Sequence, residues 1–398
     1  MPEKRLSFLK RKSYLSLLSI FAALGLLIGS SALLSGCGAG GRSGPTSLPT
    51  PTFNQMVAGA AYTAENVPII LPIAPNPTPA NSLYTDVEDG NPENYYILDV
   101  REPSDFNGMG HIPGAVNIPL QTLFCGGASA PYLSLPKNQT IVVASYAGMS
   151  QAMAGMILSM MGYKVELLRF GMSSWNQSTY GFTPSSSSGD PAYALHFTPQ
   201  NVSTPAPNDY STYPITSAFV SQLASDACTA LNPNGYGSQA PSNPGTSGAA
   251  SAFNQYNDQY SNPTNTTGLV GIPMITADQL NTEYITDGNP DNYYILDVRT
   301  NATFNNSVKA PGQQVGHIPG AHNMPITDIF TPQYLQQLPT NQPIVVMCYT
   351  GNWQSQVAPV LKILGYNVIE LRFGMSSWNA ENYLLEPESS VPKNYPLL

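Results

Sequence analysis

Apolar residues are spread unevenly along the chain. From Tyr14 to Leu34 they run almost without a break, rich in Leu, Ile and Ala. Farther on they come in short runs separated by turn residues. Tyr293 to Val298 and Pro343 to Met347 are short apolar runs, the first bounded by turn residues, which predicts buried strands. Trp353 to Leu364 places Val357, Val360, Leu361 and Leu364 at helical spacing, and Gly365 follows where a helix would end. Pro359 inside that segment predicts a kink or a late helix start. Asn367 to Arg372 predicts a further strand. The same order is written earlier: strand Ile141 to Ala144, helix Ser150 to Met161 with Gly162 behind it, strand Lys164 to Arg169. Continuous apolar strands alternating with helices predict an α/β fold with mostly parallel sheets covered on both faces.

The similarity of the two stretches extends to whole motifs. Asp89 to Arg101 recurs at Asp287 to Arg299 with one difference, Glu93 against Asp291. Gly110 to Ala115 recurs unchanged as Gly316 to Ala321, and Leu168 to Asn176 as Leu371 to Asn379. A repeat spaced by about a domain's length means a duplicated domain and not a solenoid. The expected copies are residues 66–185 and 271–398. Between them, residues 186–270 are dominated by Ser, Pro, Asn, Gly, Tyr and Thr and read as linker. One stretch differs: Phe219, Leu223, Ala227 and Leu231 recur every four residues, which predicts a helix docking on the first copy.

Charge narrows the function. Charged residues make up only 10% of the chain, against roughly 25% in an average protein. Past residue 36 the balance is strongly acidic. A nucleic-acid partner needs a basic stripe to neutralise phosphates, so that class is excluded. The basic residues that stand out, Lys4, Arg5, Lys10, Arg11 and Lys12, precede the apolar run. Basic cluster followed by apolar run is the layout of a secretory signal. The run ends in Leu34-Ser35-Gly36-Cys37, which resembles the bacterial lipobox. That resemblance implies a signal peptide over 1–36, a lipid on Cys37, a tether over 37–65 and a lipid-anchored, extracytoplasmic protein of the cell envelope. An uncleaved membrane-spanning anchor is the alternative, and it puts the body outside the cytoplasm as well.

The candidate chemistry lies in the second copy. Val345-Val346-Met347 leads into Cys348-Tyr349-Thr350-Gly351-Asn352-Trp353, so a cysteine leaves a buried strand and enters a loop that opens a helix. Loop amides and the helix N-terminus both stabilise an anion, so the thiol pKa is expected to fall. The catalytic reading requires that, and requires the sulfur to be open to solvent. A buried inert cysteine is the alternative.

Asp-Val-Arg, Gly-His-Ile-Pro-Gly-Ala, the Cys-x-x-Gly turn and the Phe-Gly-Met-x-x-Trp ending together resemble the rhodanese family, here as a tandem pair. The resemblance implies a sulfurtransferase that takes sulfane sulfur from thiosulfate, a persulfide or a polysulfide. It would hold it as a persulfide on Cys348 and pass it to a thiol or cyanide. It needs no cofactor. Carried over, Cys348 is the nucleophile, and Tyr349, Thr350, Gly351, Asn352 and Trp353 form the substrate cradle. The first copy has Ser145 at the cysteine place, and a persulfide cannot form on oxygen, so that copy is a degenerate site. The last loop residue, often Arg in the family, is Trp353, which cannot make charge-assisted bonds to an anionic donor. A phosphatase would need a longer loop ending in Arg. Arg372, after the strand that follows the helix, is a candidate for the missing cation; a buried ion pair is its alternative role. Arg299 is expected to pair with Asp297. His111 and His317 are expected to pack, because the first copy keeps its His without a Cys. No metal-ligand cluster is present. The competing function is a non-catalytic binding module that docks another envelope protein.

Four cysteines are present. With Cys37 lipidated and Cys348 reactive, Cys125 and Cys228 remain. In an oxidising compartment they are expected to form a disulfide, with two buried free thiols as the alternative.

Overall fold

The computed structural model describes residues 50–64, 67, 69–70, 95–146, 148–175, 215–231, 272–288, 292–305 and 316–379. Cys37, the apolar run before it, and most of the linker lie outside these residues. In the first domain the strands are β1 (Ile69–Ile70), β2 (Tyr95–Asp99), β3 (Val116–Asn117), β4 (Thr140–Ala144) and β5 (Val165–Leu168). In the second they are β6 (Met274–Ile275), β7 (Tyr294–Asp297), β8 (His322–Asn323), β9 (Ile344–Met347) and β10 (Val368–Leu371). Each set forms a five-stranded sheet, ordered β1-β5-β4-β2-β3 and β6-β10-β9-β7-β8. Every pairing is parallel. Such a sheet must be covered on both faces, which is why its centre, Ile344-Val345-Val346-Met347, is apolar at every position and wholly buried.

Four longer helices complete the description: α1 (Thr50–Thr63), α2 (Met149–Met160), α3 (Ser217–Leu231) and α4 (Asn352–Ile363). α2 follows β4 and α4 follows β9, at equivalent places in the two copies. They pack against each other, and one continuous apolar cluster runs from Met153 and Met156 on α2 to Val357 and Leu361 on α4. α4 runs through Pro359 as a single helix, so the proline neither delays its start nor ends it.

Two expectations need correction. The segment 37–65 is not tether throughout: residues 50–63 are helical, and Met56, Ala60 and Ala64, each four apart, are buried in the core. Their small side chains and the Pro/Thr-rich flank hid that periodicity. α3 does dock on the first domain, but it also packs along α4 of the second. Cys125 and Cys228 are joined by a disulfide, Cα to Cα 4.9 Å, which ties α3 to the first domain.

Candidate active site

Cys348 is the first residue past β9, the central strand of its sheet. The next strand in the chain, β10, lies on one side of β9, and β7 and β8 lie on the other. The carboxyl ends of such strands are where open α/β sheets place ligands. Gly351 closes the turn and caps α4 in the left-handed region, φ 110°, where a side chain would strain the backbone. The turn brings the Gly351 N–H to Cys348 Sγ at 3.2 Å. The Gln354 amide, and after it those of Thr350 and Trp353, also act on the sulfur and favour its anion. The nest expected from the sequence is therefore present.

The loop rests on the repeated Phe-Gly-Met-Ser-Ser-Trp segment. Met375 N–H donates to the Cys348 carbonyl at 2.9 Å and Ser376 N–H to the Tyr349 carbonyl at 3.0 Å. A Cβ on Gly374 would stand 2.5 Å from the Cys348 carbonyl oxygen, so only glycine lets the two segments approach. Phe373 just before it has φ 56°, and Phe170 in the first copy has φ 55°. A non-glycine residue held there costs of order 1–3 kcal/mol and persists only where its surroundings fix it.

The walls follow the same rule in both copies. Asp297 accepts from Arg299 Nη2 at 2.6 Å with both side chains buried, and Arg299 also donates to the Gly316 carbonyl at 2.7 Å. Asp99, Arg101 and Gly110 repeat this arrangement. These are sheet-end clamps. His111 and His317 stack on Phe106 and Phe304 at 3.8 Å, which is a packing role. The two tyrosines differ. Tyr146 donates to the Asp105 carboxylate, whereas Tyr349 bonds to Thr303, 2.8 Å away, the residue at the matching place. The copy with the cysteine thus lacks a carboxylate that the copy without it keeps. That lowers the negative charge beside the loop.

The Rhodanese-like domain family profile matches residues 79–178 and 276–381. The two matches cover just over half the chain. This chain belongs to the rhodanese-like family. A thiosulfate sulfurtransferase, GlpE, of Tolumonas auensis is 32% identical over 85 residues, 21% of this chain and 70% of that protein. The structure of reduced Bacillus anthracis CoADR-RHD is 24% identical, covering 28% of this chain and 16% of that one, with a TM-score of 0.22. A thiosulfate sulfurtransferase of Pseudomonas aeruginosa is 14% identical and covers 86% of this chain and 50% of that one, with a TM-score of 0.27. The chain therefore spans well under two thirds of either solved structure's length.

The state of the thiol in the second rhodanese-like domain departs from expectation. Cys348 is 2% exposed, so it is not open to solvent. Burial pushes the thiol pKa up, and the hydrogen bonds from the loop, which pull it down, do not offset that. The expected fall is thus overturned in this conformation. The loop that carries it is packed against the first domain. Met149, the first residue of α2, packs directly over Gly351: a Cβ on that glycine would meet the Met149 side chain at 2.9 Å. Trp353 packs beside it against the same cluster and meets Tyr349 edge-on at 5.4 Å. Met149→Ala should therefore speed alkylation of Cys348 by a small neutral reagent about fivefold, the effect of easing a local opening by ~1 kcal/mol. An unchanged rate would mean the barrier lies elsewhere.

The remaining cradle residues are less engaged. Asn352 accepts from Gln356 Nε2 at 2.8 Å. Arg372 is 5% exposed, and its guanidinium lies over the Phe373 ring, 5.3 Å from the centroid. Ser145 donates its hydroxyl proton to Gln151 Oε1 at 3.2 Å.

Sequence reasoning missed three residues. Gln354 accepts the Cys348 N–H at 2.9 Å and donates to the Leu371 carbonyl, so it ties the loop to β10. Gln151 makes the same ties to Ser145 and Leu168 in the first copy. The signal was a glutamine six residues past the Cys/Ser position in both copies, in segments that otherwise share only the tyrosine and the glycine. Ser355 and Glu370 are the other two. Both are fully buried, and Ser355 Oγ donates to Glu370 Oε2 at 2.7 Å. Burial pushes the Glu370 carboxyl up to about 8, so it is largely un-ionised at neutral pH.

Proposed function

We propose that the second domain is a sulfurtransferase that carries sulfane sulfur on Cys348. The supporting observation is the aim of the loop: the Gly351 amide stands 3.2 Å from Sγ, and the Gln354, Thr350 and Trp353 amides join it. In the step proposed, the Cys348 thiolate attacks the outer sulfur of thiosulfate. The Cys–S bond forms, the S–S bond of the donor breaks, and sulfite leaves with the electron pair. The terminal sulfur of the persulfide then passes to cyanide or a thiol and the thiolate is restored. No external oxidant and no cofactor enter the balance. The amides that offset the charge of a thiolate also suit a persulfide anion or a donor's oxyanion. Cys348 is enclosed and its thiol pKa raised in this conformation, so the reading also requires one in which the loop opens to donor and water, with the Met149 side chain over Gly351 among the groups that would move.

The test is mass spectrometry after exposure to thiosulfate or polysulfide. A gain of about 32 Da on Cys348 is the expected persulfide. No adduct with any donor would leave a binding module, the second reading, which the burial of the thiol favours. In the sulfurtransferase reading Arg372 supplies the cation that Trp353 does not. Arg372→Ala is then expected to raise KM for thiosulfate by about tenfold, the scale of one charge-assisted contact. It should leave alkylation by a neutral reagent unchanged. An unaltered KM would remove Arg372 from the site.

We also propose that the protein works outside the cytoplasm, held to a membrane by a lipid on Cys37. The Cys125–Cys228 disulfide supports an oxidising compartment. Metabolic labelling with a fatty acid analogue that fails on Cys37→Ala would support the anchor, and labelling that persists would remove it.

A further inference from the structure

Glu370 is out of place by the logic of its strand. It sits on β10, paired with Val346 of β9, in a run where every neighbour is apolar and every residue is buried. Its side chain is fully buried, and among the described residues Oε1 has no hydrogen-bond partner. Burying a carboxyl incompletely bonded costs several kcal/mol. The first copy avoids that cost. There the equivalent of Glu370 is Leu167, and the equivalent of its partner Ser355 is Ala152; both are wholly buried. Two apolar residues are thus replaced together by a hydrogen-bonded polar pair, in the one copy that carries a cysteine in its loop.

The position of the pair suggests its use. Ser355 lies in the first turn of α4, and its N–H donates to the Gly351 carbonyl at 3.1 Å. Gly351 is the residue whose amide faces Sγ. Glu370 therefore grips the helix turn that carries the sulfur cradle and ties it to β10. Gln354 is the neighbouring tie: it holds the Cys348 N–H and the Leu371 carbonyl, and its side chain interacts with the Glu370 carboxyl. The first domain keeps only the glutamine tie. An apolar Leu–Ala pair fills space but leaves the turn free to rock by fractions of an ångström. Ring-like donation to a single atom is sensitive to such displacements.

We propose that Glu370 is a positioning residue of the sulfur site, acting through Ser355 and Gln354 to fix the loop amides around Cys348. This rests on the sulfurtransferase reading for its purpose, but not for its test. Glu370→Leu with Ser355→Ala, which recreates the first copy's pair, should fold and melt higher than the parent, because an imperfectly satisfied carboxyl is gone. It should also lower kcat for sulfur transfer about tenfold, equivalent to about 1.4 kcal/mol, with KM for thiosulfate little changed. The pH at which Cys348 alkylation reaches half its limiting rate should move upward. Glu370→Gln keeps a neutral acceptor for Ser355 and should restore both kcat and the alkylation profile. A parent-like alkylation profile in the Leu/Ala variant, or a Gln variant no better than it, would overturn the role. If the parent itself shows no persulfide with any donor, the sulfurtransferase reading fails, while the alkylation profile still decides whether Glu370 positions the thiol.

Discussion

Cys348→Ser is expected to abolish the persulfide and to lower sulfur transfer by at least about a thousandfold, the usual scale for loss of a nucleophile. The fold should survive, because the first copy holds a serine at this place with the same ties. Ser145 N–H donates to Gln151 at 2.9 Å, as Cys348 N–H does to Gln354. The hydroxyl there donates to the glutamine. Circular dichroism should match the parent, and the gain of about 32 Da should be absent. Transfer that persists in this variant would place the sulfur chemistry on another group and remove the amide nest from the mechanism.

Cys228→Ser is expected to produce the largest loss of stability. The bridge joins residues 103 apart in sequence and closes a loop that includes β4, α2, β5 and most of α3. A loop of that size corresponds to about 4–5 kcal/mol in the chain-entropy account. That is a fall in Tm of about 10 °C for folded parts of this size. Reductant should lower the parent to the same value and leave the variant where it is. Equal melting of parent and variant without reductant would mean the bond does not form, and four free thiols in the unlipidated chain, against two with the bond, would say the same.

Much of this arrangement was legible before any coordinates. The two sheets follow from apolar runs such as Ile344 to Met347, and the duplication from identical motifs that proved to be the clamps and floor of the loop. The Asp–Arg pairs and the stacked histidines were readable because both copies keep them regardless of the cysteine. Three things were not. The α1 periodicity rests on Ala60 and Ala64, which contribute little hydrophobic contrast. Glu370 reads as an exposed residue on any strand pattern, since a lone carboxyl in the core contradicts the usual rule. The Met149 side chain that packs over Gly351 of the loop comes from nearly two hundred positions away, and no local pattern signals a contact between two copies. The donors around the sulfur can be read from the loop's sequence, whereas the loss of water, which outweighs them in pushing the thiol pKa up, depends on the tertiary packing.

The packing of α2 and α3 along α4 has a practical consequence for anyone seeking a minimal catalyst. Excising the cysteine-bearing half would strip its helix of two neighbours and leave a greasy flank in water. Such a fragment would label faster and clump sooner. The duplicate that carries serine in place of the cysteine would, in that light, serve as a chaperone permanently attached to its twin.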